Sequence, residues 1–272
     1  MFPVLKKLTK QGISSNLSAC PNETGVLELE GTSFFAVVNP QKTNLVWTLA
    51  QIGAIWIASD IGFYYLLPTL GVNFNFDRSP VAAAIYYAFW AGIALITFWP
   101  MYRSWSQFGR LATIENRLTS CIIWFLTFTA CIFFAAYVLP LLPKIVWAQS
   151  NDSQEFKMAT SVFFLPKSIE IFFQQLLFVA MVLALSAQQL SLRKMSVYSA
   201  LMLGGAHVLL AFDGVSLGYI TMFMTSAAVF GFVFPYLILR VPNGFAYSFT
   251  IHWLYYAAIA AMTHLFGASS ST

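Results

Sequence analysis

Long apolar stretches alternate along this chain with short segments that hold most of its charged residues. A helix needs about 20 apolar residues to cross about 30 Å of hydrocarbon. Seven runs are predicted as membrane-spanning helices on that basis: Leu45–Leu67, Val81–Tyr102, Leu118–Trp147, Val162–Leu185, Val197–Phe212, Leu217–Leu239 and Phe245–Phe266. Pro68 and Gly71 are expected to end the first. Trp47, Trp99, Trp105, Trp147, Tyr236 and Tyr247 fall near the ends of runs, where an interfacial aromatic belt would place them. No internal repeat or low-complexity segment is visible.

Composition narrows the class. Of 272 residues, 59% are hydrophobic and 9% charged, where a soluble domain carries about 25% charged residues. A soluble enzyme, a disordered chain and a nucleic-acid binder are excluded, the last because no basic stripe is present to track phosphates. The expected fold is all-α, a polytopic membrane helix bundle of about seven spans. Residues 1–42 read as a polar cytosolic arm, 43–159 as three peripheral spans with their loops, and 160–272 as a four-helix core that carries the polar site. Cys20, Cys121 and Cys131 form no Cys-x-x-Cys pair and read as structural. Asn22-Glu23-Thr24 and Asn151-Asp152-Ser153 match the weak glycosylation pattern.

Charge sets the expected orientation. With seven spans, one side collects the N-terminal arm and the segments around Arg103–Arg117, Arg193–Lys194 and Arg240, a total of 10 Lys and Arg, against 4 opposite (Arg78, Lys144, Lys157 and Lys167). The positive-inside rule puts the N-terminus in the cytosol, with the plasma or inner membrane as the expected location.

A charge at membrane depth costs several kcal/mol, about 3 on translocon scales, so each one needs a partner or a purpose. Asp60, Glu170, His207, His252 and His264 are the ionisable candidates within the runs. Asp60 has no helical partner one turn away, and His264 reads as a hydrogen-bonded residue near the outer surface. Glu170 has Lys167 one turn before it and Gln174 one turn after it on the same face, with Gln175 adjacent. That pattern fits either an ion pair closed by an amide or a carboxylate held in a dry pocket to handle protons. His207 follows Leu203-Gly204-Gly205-Ala206, where small residues admit a neighbouring helix, and His252 has Tyr256 one turn on. One carboxylate and two histidines on separate helices suit general acid–base activation of water, or a zinc site of two His and one Glu.

The last four runs resemble the core of the CAAX-protease and bacteriocin-processing (CPBP) family of intramembrane proteases. Ile169-Glu170-Ile171-Phe172-Phe173-Gln174 stands where the family has Glu-Glu-x-x-x-Arg, Leu203-Gly204-Gly205-Ala206-His207 where it has Phe-x-x-x-His, and His252-Trp253-Leu254-Tyr255-Tyr256 where it has His-x-x-x-Asn. Ile169, Gln174, Leu203 and Tyr256 depart from the motifs. The resemblance spans residues 160–266 and implies a peptidase that cleaves a membrane protein or a lipidated or hydrophobic peptide. Glu170, His207 and His252 would be catalytic, Gln174 and Tyr256 supporting, with no cofactor and zinc as the less favoured alternative. It implies equally a catalytically dead relative that binds or scaffolds partners, because an amide at 174 removes a cation that would orient the carboxylate. A proton-coupled transporter using Asp60 and Glu170 is a third reading, without the broken helices or repeats that mark such proteins. Partners are the bilayer and a membrane-associated substrate, not nucleic acid.

The charge asymmetry yields a direct test. A cysteine introduced at Ser106 should resist a membrane-impermeant thiol reagent applied to intact cells. Labelling from outside would reverse the orientation.

Overall fold

The computed structural model describes residues 44–72, 76, 79–105, 114–143, 162–208, 211 and 216–266. The N-terminal arm, Cys20, both glycosylation patterns, Ser106 and Trp147 lie outside the described residues. Seven long helices follow one another and no strand occurs among the described residues. We label them α1 (Leu45–Thr69, including one wide turn), α2 (Pro80–Ser104), α3 (Ile114–Phe133, prolonged by irregular turns to Leu141), α4 (Phe164–Ala187), α5 (Leu192–Ala206), α6 (Leu217–Arg240) and α7 (Gly244–Phe266).

Five of them, α1, α2, α3, α4 and α6, are long and apolar enough to cross a membrane. The outward faces of α1, α2, α3 and α6 are strongly apolar: Ile57, Ile85, Phe89, Ile96, Phe125, Ile132, Phe133 and Val229 are all exposed, as is Leu201 of α5. Such a continuous apolar surface marks an interaction with lipid rather than water. The chain is an integral membrane protein. α7 has the length to span, but Ser248, Thr250, His252, Thr263 and His264 make it more polar. α5 departs from expectation. It starts at Leu192, not Val197, and ends at Ala206, so its 15 residues rise about 22 Å. His207 therefore caps a helix end rather than sitting inside a span.

Side-chain pairs fix the directions. Ser120 with Asn243 and Thr127 with Thr250 keep the same register, so α3 and α7 run parallel. Phe164 meets Trp253 while Phe172 meets Phe249, so α4 and α7 run antiparallel. Gly204 sits against Ala228 while Gly231 sits against Ala200, so α5 and α6 are antiparallel too. α3 therefore runs opposite to α4, and α5 opposite to α6.

α4 is the centre of the bundle. Of its most apolar stretch 83% is buried, against 17–33% in the other four candidate spans. α1, α2, α5, α6 and α7 all pack on it. It can be surrounded because its sequence is apolar on every side, with Ile171, Leu177, Ala180, Val182, Leu183 and Ala184 fully enclosed. The Tyr102 hydroxyl of α2 donates to the Leu176 carbonyl at 2.8 Å. Between α3, α4 and α7 the Trp124 ring packs against Phe172, Phe245 and Phe249. Of the residues expected in an aromatic belt, Trp47, Trp99, Tyr236 and Tyr247 are exposed, whereas Trp105 is 1% exposed and belongs to the core.

Two prolines follow wide turns near helix ends, while Pro100 and Pro235 lie within α2 and α6. α1 ends at Thr69, between Pro68 and Gly71 as expected; before Pro68 comes a wide turn over Gly62–Leu66, where the Leu67 N–H reaches back to the Gly62 carbonyl. Pro140 repeats the arrangement, with the wide turn Phe134–Val138 and Leu139 bonded to the Phe134 carbonyl. A proline ring clashes with the carbonyl four residues back, and a widened turn makes room for it. The Ser59 carbonyl, which takes the Gly62 N–H, also accepts from the Tyr86 hydroxyl at 2.7 Å.

α5 and α6 meet through small residues. A Cβ on Gly231 would lie 2.6 Å from the Ala200 Cα and the Ser199 carbonyl oxygen. A Cβ on Gly204 would lie 3.0 Å from the Ala228 Cβ. Lipid gives no hydrophobic drive for helix pairing, so this close approach and its dispersion contacts hold α5 in place. Gly231→Ala should therefore destabilise the protein by about 1–3 kcal/mol, the usual cost of overpacking. Gly53→Ala in α1, where nothing lies within 4 Å, should be neutral or slightly stabilising. Thermal unfolding in detergent would compare the two, and equal stability would show that the contact is not close.

Candidate functional site

The polar residues of α4 divide by helix geometry into two sets. Lys167, Glu170 and Gln174 follow one another at intervals of three and four and share a face. Gln175 is turned about 100° away and faces α7.

On the first face, Lys167 and Glu170 are both buried, at 3% and 6% exposure. The Lys167 ammonium contacts Glu170 Oε2 at 3.0 Å, and the Gln174 amide donates to Glu170 Oε1 at 2.8 Å. Both carboxylate oxygens thus hold a donor within the helix. Lys167, counted with the cations opposite the N-terminal arm, lies in the first turn of α4, near the end of that span, and is buried there. The same ammonium stands 4.3 Å from the centre of the Tyr256 ring and 5.6 Å from that of Phe76. The cation that Gln174 lacks is supplied from the preceding turn.

On the second face, the Gln175 amide donates to His252 Nδ1 at 3.2 Å, and the Ser248 hydroxyl lies 3.4 Å from Gln175 Oε1. Ser248 and His252 share a face of α7 at an interval of four. A nitrogen that accepts a hydrogen bond carries no proton, so neutral His252 bears its hydrogen on Nε2. Its ring is held among Phe230, Phe234 and Tyr256, at centroid distances of 5.5, 6.5 and 5.5 Å.

His207 has the opposite polarity. At the C-terminal end of α5 its backbone N–H turns to the Gly204 carbonyl, and its Nδ1 lies 2.8 Å from the Leu203 carbonyl oxygen. A carbonyl only accepts, so Nδ1 is the protonated nitrogen and Nε2 keeps its lone pair. The last carbonyls of a helix need such partners, which is why a histidine fits this position. The ring lies nearly parallel to Phe223 of α6.

Both histidines line one cavity of about 30 Å³ between α4, α5, α6 and α7, with Trp56 of α1 at its side. That volume admits about two waters. Gln174, Gln175 and Tyr256 line it as well, and Phe178, Leu203, Phe223, Ala227, Phe230, Phe234 and Tyr255 make up the rest of the wall. Glu170 is not part of the wall; it stands one hydrogen bond behind Gln174. The structure therefore joins His207, His252, Gln174 and Tyr256 in one space and sets Glu170 behind them. The roles of Gln175, Trp56, Phe223 and Tyr255 were not read from the sequence. For Gln175, only its position facing α7 gives a signal, and that requires the packing.

The remaining candidates lie elsewhere. Asp60, near the end of α1, accepts from the Ser59 hydroxyl at 3.5 Å and does not line the cavity. His264 Nδ1 donates to the Pro143 carbonyl at 3.0 Å, tying α7 to the end of α3. Cys131 is buried with its sulfur 3.2 Å from the Ser168 hydroxyl, and Cys121 is exposed. Among the described residues no three His, Cys, Asp or Glu side chains come together as a metal site would need. Glu170 does not fit the third-ligand role either, because an ammonium already occupies one of its oxygens.

Comparison with protein-family models, with curated proteins and with solved structures finds no match for the chain.

The closed ion pair gives a stability test. Glu170→Gln leaves the Lys167 cation without its anion in a buried site, at a cost of about 3–5 kcal/mol. Replacing both members, by Lys167→Met with Glu170→Gln, should recover most of the loss. Thermal unfolding of the single and double variants in detergent would show it; a single variant as stable as wild type would mean that the pair contributes no closure.

Proposed function

We propose that this chain is an intramembrane peptidase of the CPBP type, hydrolysing a peptide bond of a membrane-associated protein or hydrophobic peptide presented to the water-sized cavity bounded by α4, α5, α6 and α7. The observation that supports it is the opposite polarity of the two histidines in that one space. His207 offers an unprotonated Nε2 and His252 offers an Nε2–H. Amide hydrolysis needs both: a base for the water and a donor for the developing oxyanion.

In this reading His207 Nε2 takes a proton from water as the water oxygen bonds to the peptide carbonyl carbon. The His252 Nε2–H donates to the carbonyl oxygen as it becomes negative. The His207 imidazolium then returns the proton to the leaving nitrogen as the C–N bond breaks, giving a carboxylic acid and an amine. Glu170 moves from the water-activating role to one behind the cavity, because Lys167 and Gln174 hold its oxygens. No metal takes part. The N-terminus is placed on the cytosolic side, on the charge asymmetry described above.

One observation favours a second reading. With its carboxylate neutralised and out of the wall, the cavity holds no anion to support a histidine base, as a non-catalytic binding protein would have it.

Purified protein offered a pool of membrane peptides separates the two. His207→Ala should lower turnover by about 10²–10⁴-fold, the range for a lost general base. His252→Ala should lower it by about 10²–10³-fold, the range for a lost oxyanion donor. Peptide binding without cleavage by wild type, or cleavage indifferent to both changes, would establish the binding reading instead.

A further inference from the structure

We propose that Lys167 is a positioning residue for His252: its ammonium seats the Tyr256 ring, and that ring keeps the His252 imidazole against Gln175. The inference rests on the peptidase reading for its kinetic part alone. Three contacts make the chain of action. The Lys167 ammonium stands over the face of Tyr256 at 4.3 Å, within the range of an attractive cation–π contact. Tyr256 in turn lies 5.5 Å from His252, with its ring tilted by 34°. His252 Nδ1 takes its hydrogen bond from Gln175 on α4, the helix that also carries Lys167.

The arrangement forms a closed loop between α4 and α7. Glu170 anchors the ammonium, the ammonium attracts the ring face, and the ring blocks rotation of the imidazole away from Gln175. Burial strengthens the cation–π contact, because a desolvated ammonium is drawn more strongly to the ring face than one in water. A purely structural salt bridge would need Glu170 alone. The second engagement of the ammonium, on a residue of the cavity wall, is what gives it an influence on the site.

The test reads the histidine directly. In protein labelled with ¹⁵N-histidine, wild type should show His252 as one neutral tautomer, protonated at Nε2. The double variant Lys167→Met with Glu170→Gln keeps the site neutral and removes the cation. It should show His252 as a mixture of tautomers, with kcat down at least about 10-fold and KM changed less than about twofold. Tyr256→Leu, which leaves Lys167 and Glu170 in place, should give the same mixture. Lys167→Arg, which keeps a cation for the ring, should restore the single tautomer. A single unchanged His252 tautomer in both the double variant and Tyr256→Leu would overturn the proposal. If the tautomer follows Lys167 but wild type cleaves no peptide, the positioning stands and the peptidase reading fails.

Discussion

A carboxylate buried inside a lipid-embedded helix bundle must be neutralised where it stands, and this constraint organises the centre of the protein. α4 is enclosed by five other helices, so Glu170 has no route to water along its own backbone. Lys167 and Gln174 meet that need from the same helix, one turn to either side. The solution is local, so α4 enters the bundle with its charges already matched. Its remaining surface is then free to pack on every side with apolar groups. An intrahelical pair also costs little orientation entropy, because the helix holds both side chains on one face.

The polar wall beyond the pair is built from one helix end and two helix faces. α5 stops at Ala206, and the carbonyl left over there fixes the proton of His207. α7 presents Ser248 and His252 together, and Gln175 fixes the proton of His252 from across the interface. Neither histidine makes its hydrogen bond with a charged group, and the Lys167 ammonium acts on His252 only through the Tyr256 ring. Between the helices, neutral amide, carbonyl and hydroxyl groups set the polarity of the site, as satisfied polar networks do in a low-dielectric interior. The close seam of Gly204 and Gly231 contributes by holding α5 near enough to α6 for His207 to reach the cavity beside Phe223.

Much of this was legible in the sequence. The positions of the runs, the helical class and the membrane environment follow from hydropathy, because a 20-residue apolar stretch has few alternatives in water or lipid. The Lys167–Glu170–Gln174 triplet follows from helical spacing alone, and so does the pairing of His252 with Tyr256 on one face. The wide turns before Pro68 in α1 and Pro140 in α3 were not read from the sequence. The turns that accommodate Pro68 and Pro140 open backbone hydrogen bonds and leave hydropathy unchanged, so they have no sequence signature of that kind.

What the sequence determined by itself was local: which stretches become helices, which side chains share a face, and which charges cancel one turn apart. Only the tertiary structure decided which faces meet. It turned Gln175 rather than Gln174 toward His252, set Glu170 behind the cavity wall, ended α5 at His207 and brought Lys167 over Tyr256. The physical reason is the range of the interactions. Helical spacing fixes neighbours within a turn, whereas contacts between helices depend on rotation about each axis, and that rotation is set by packing among all the neighbouring helices at once.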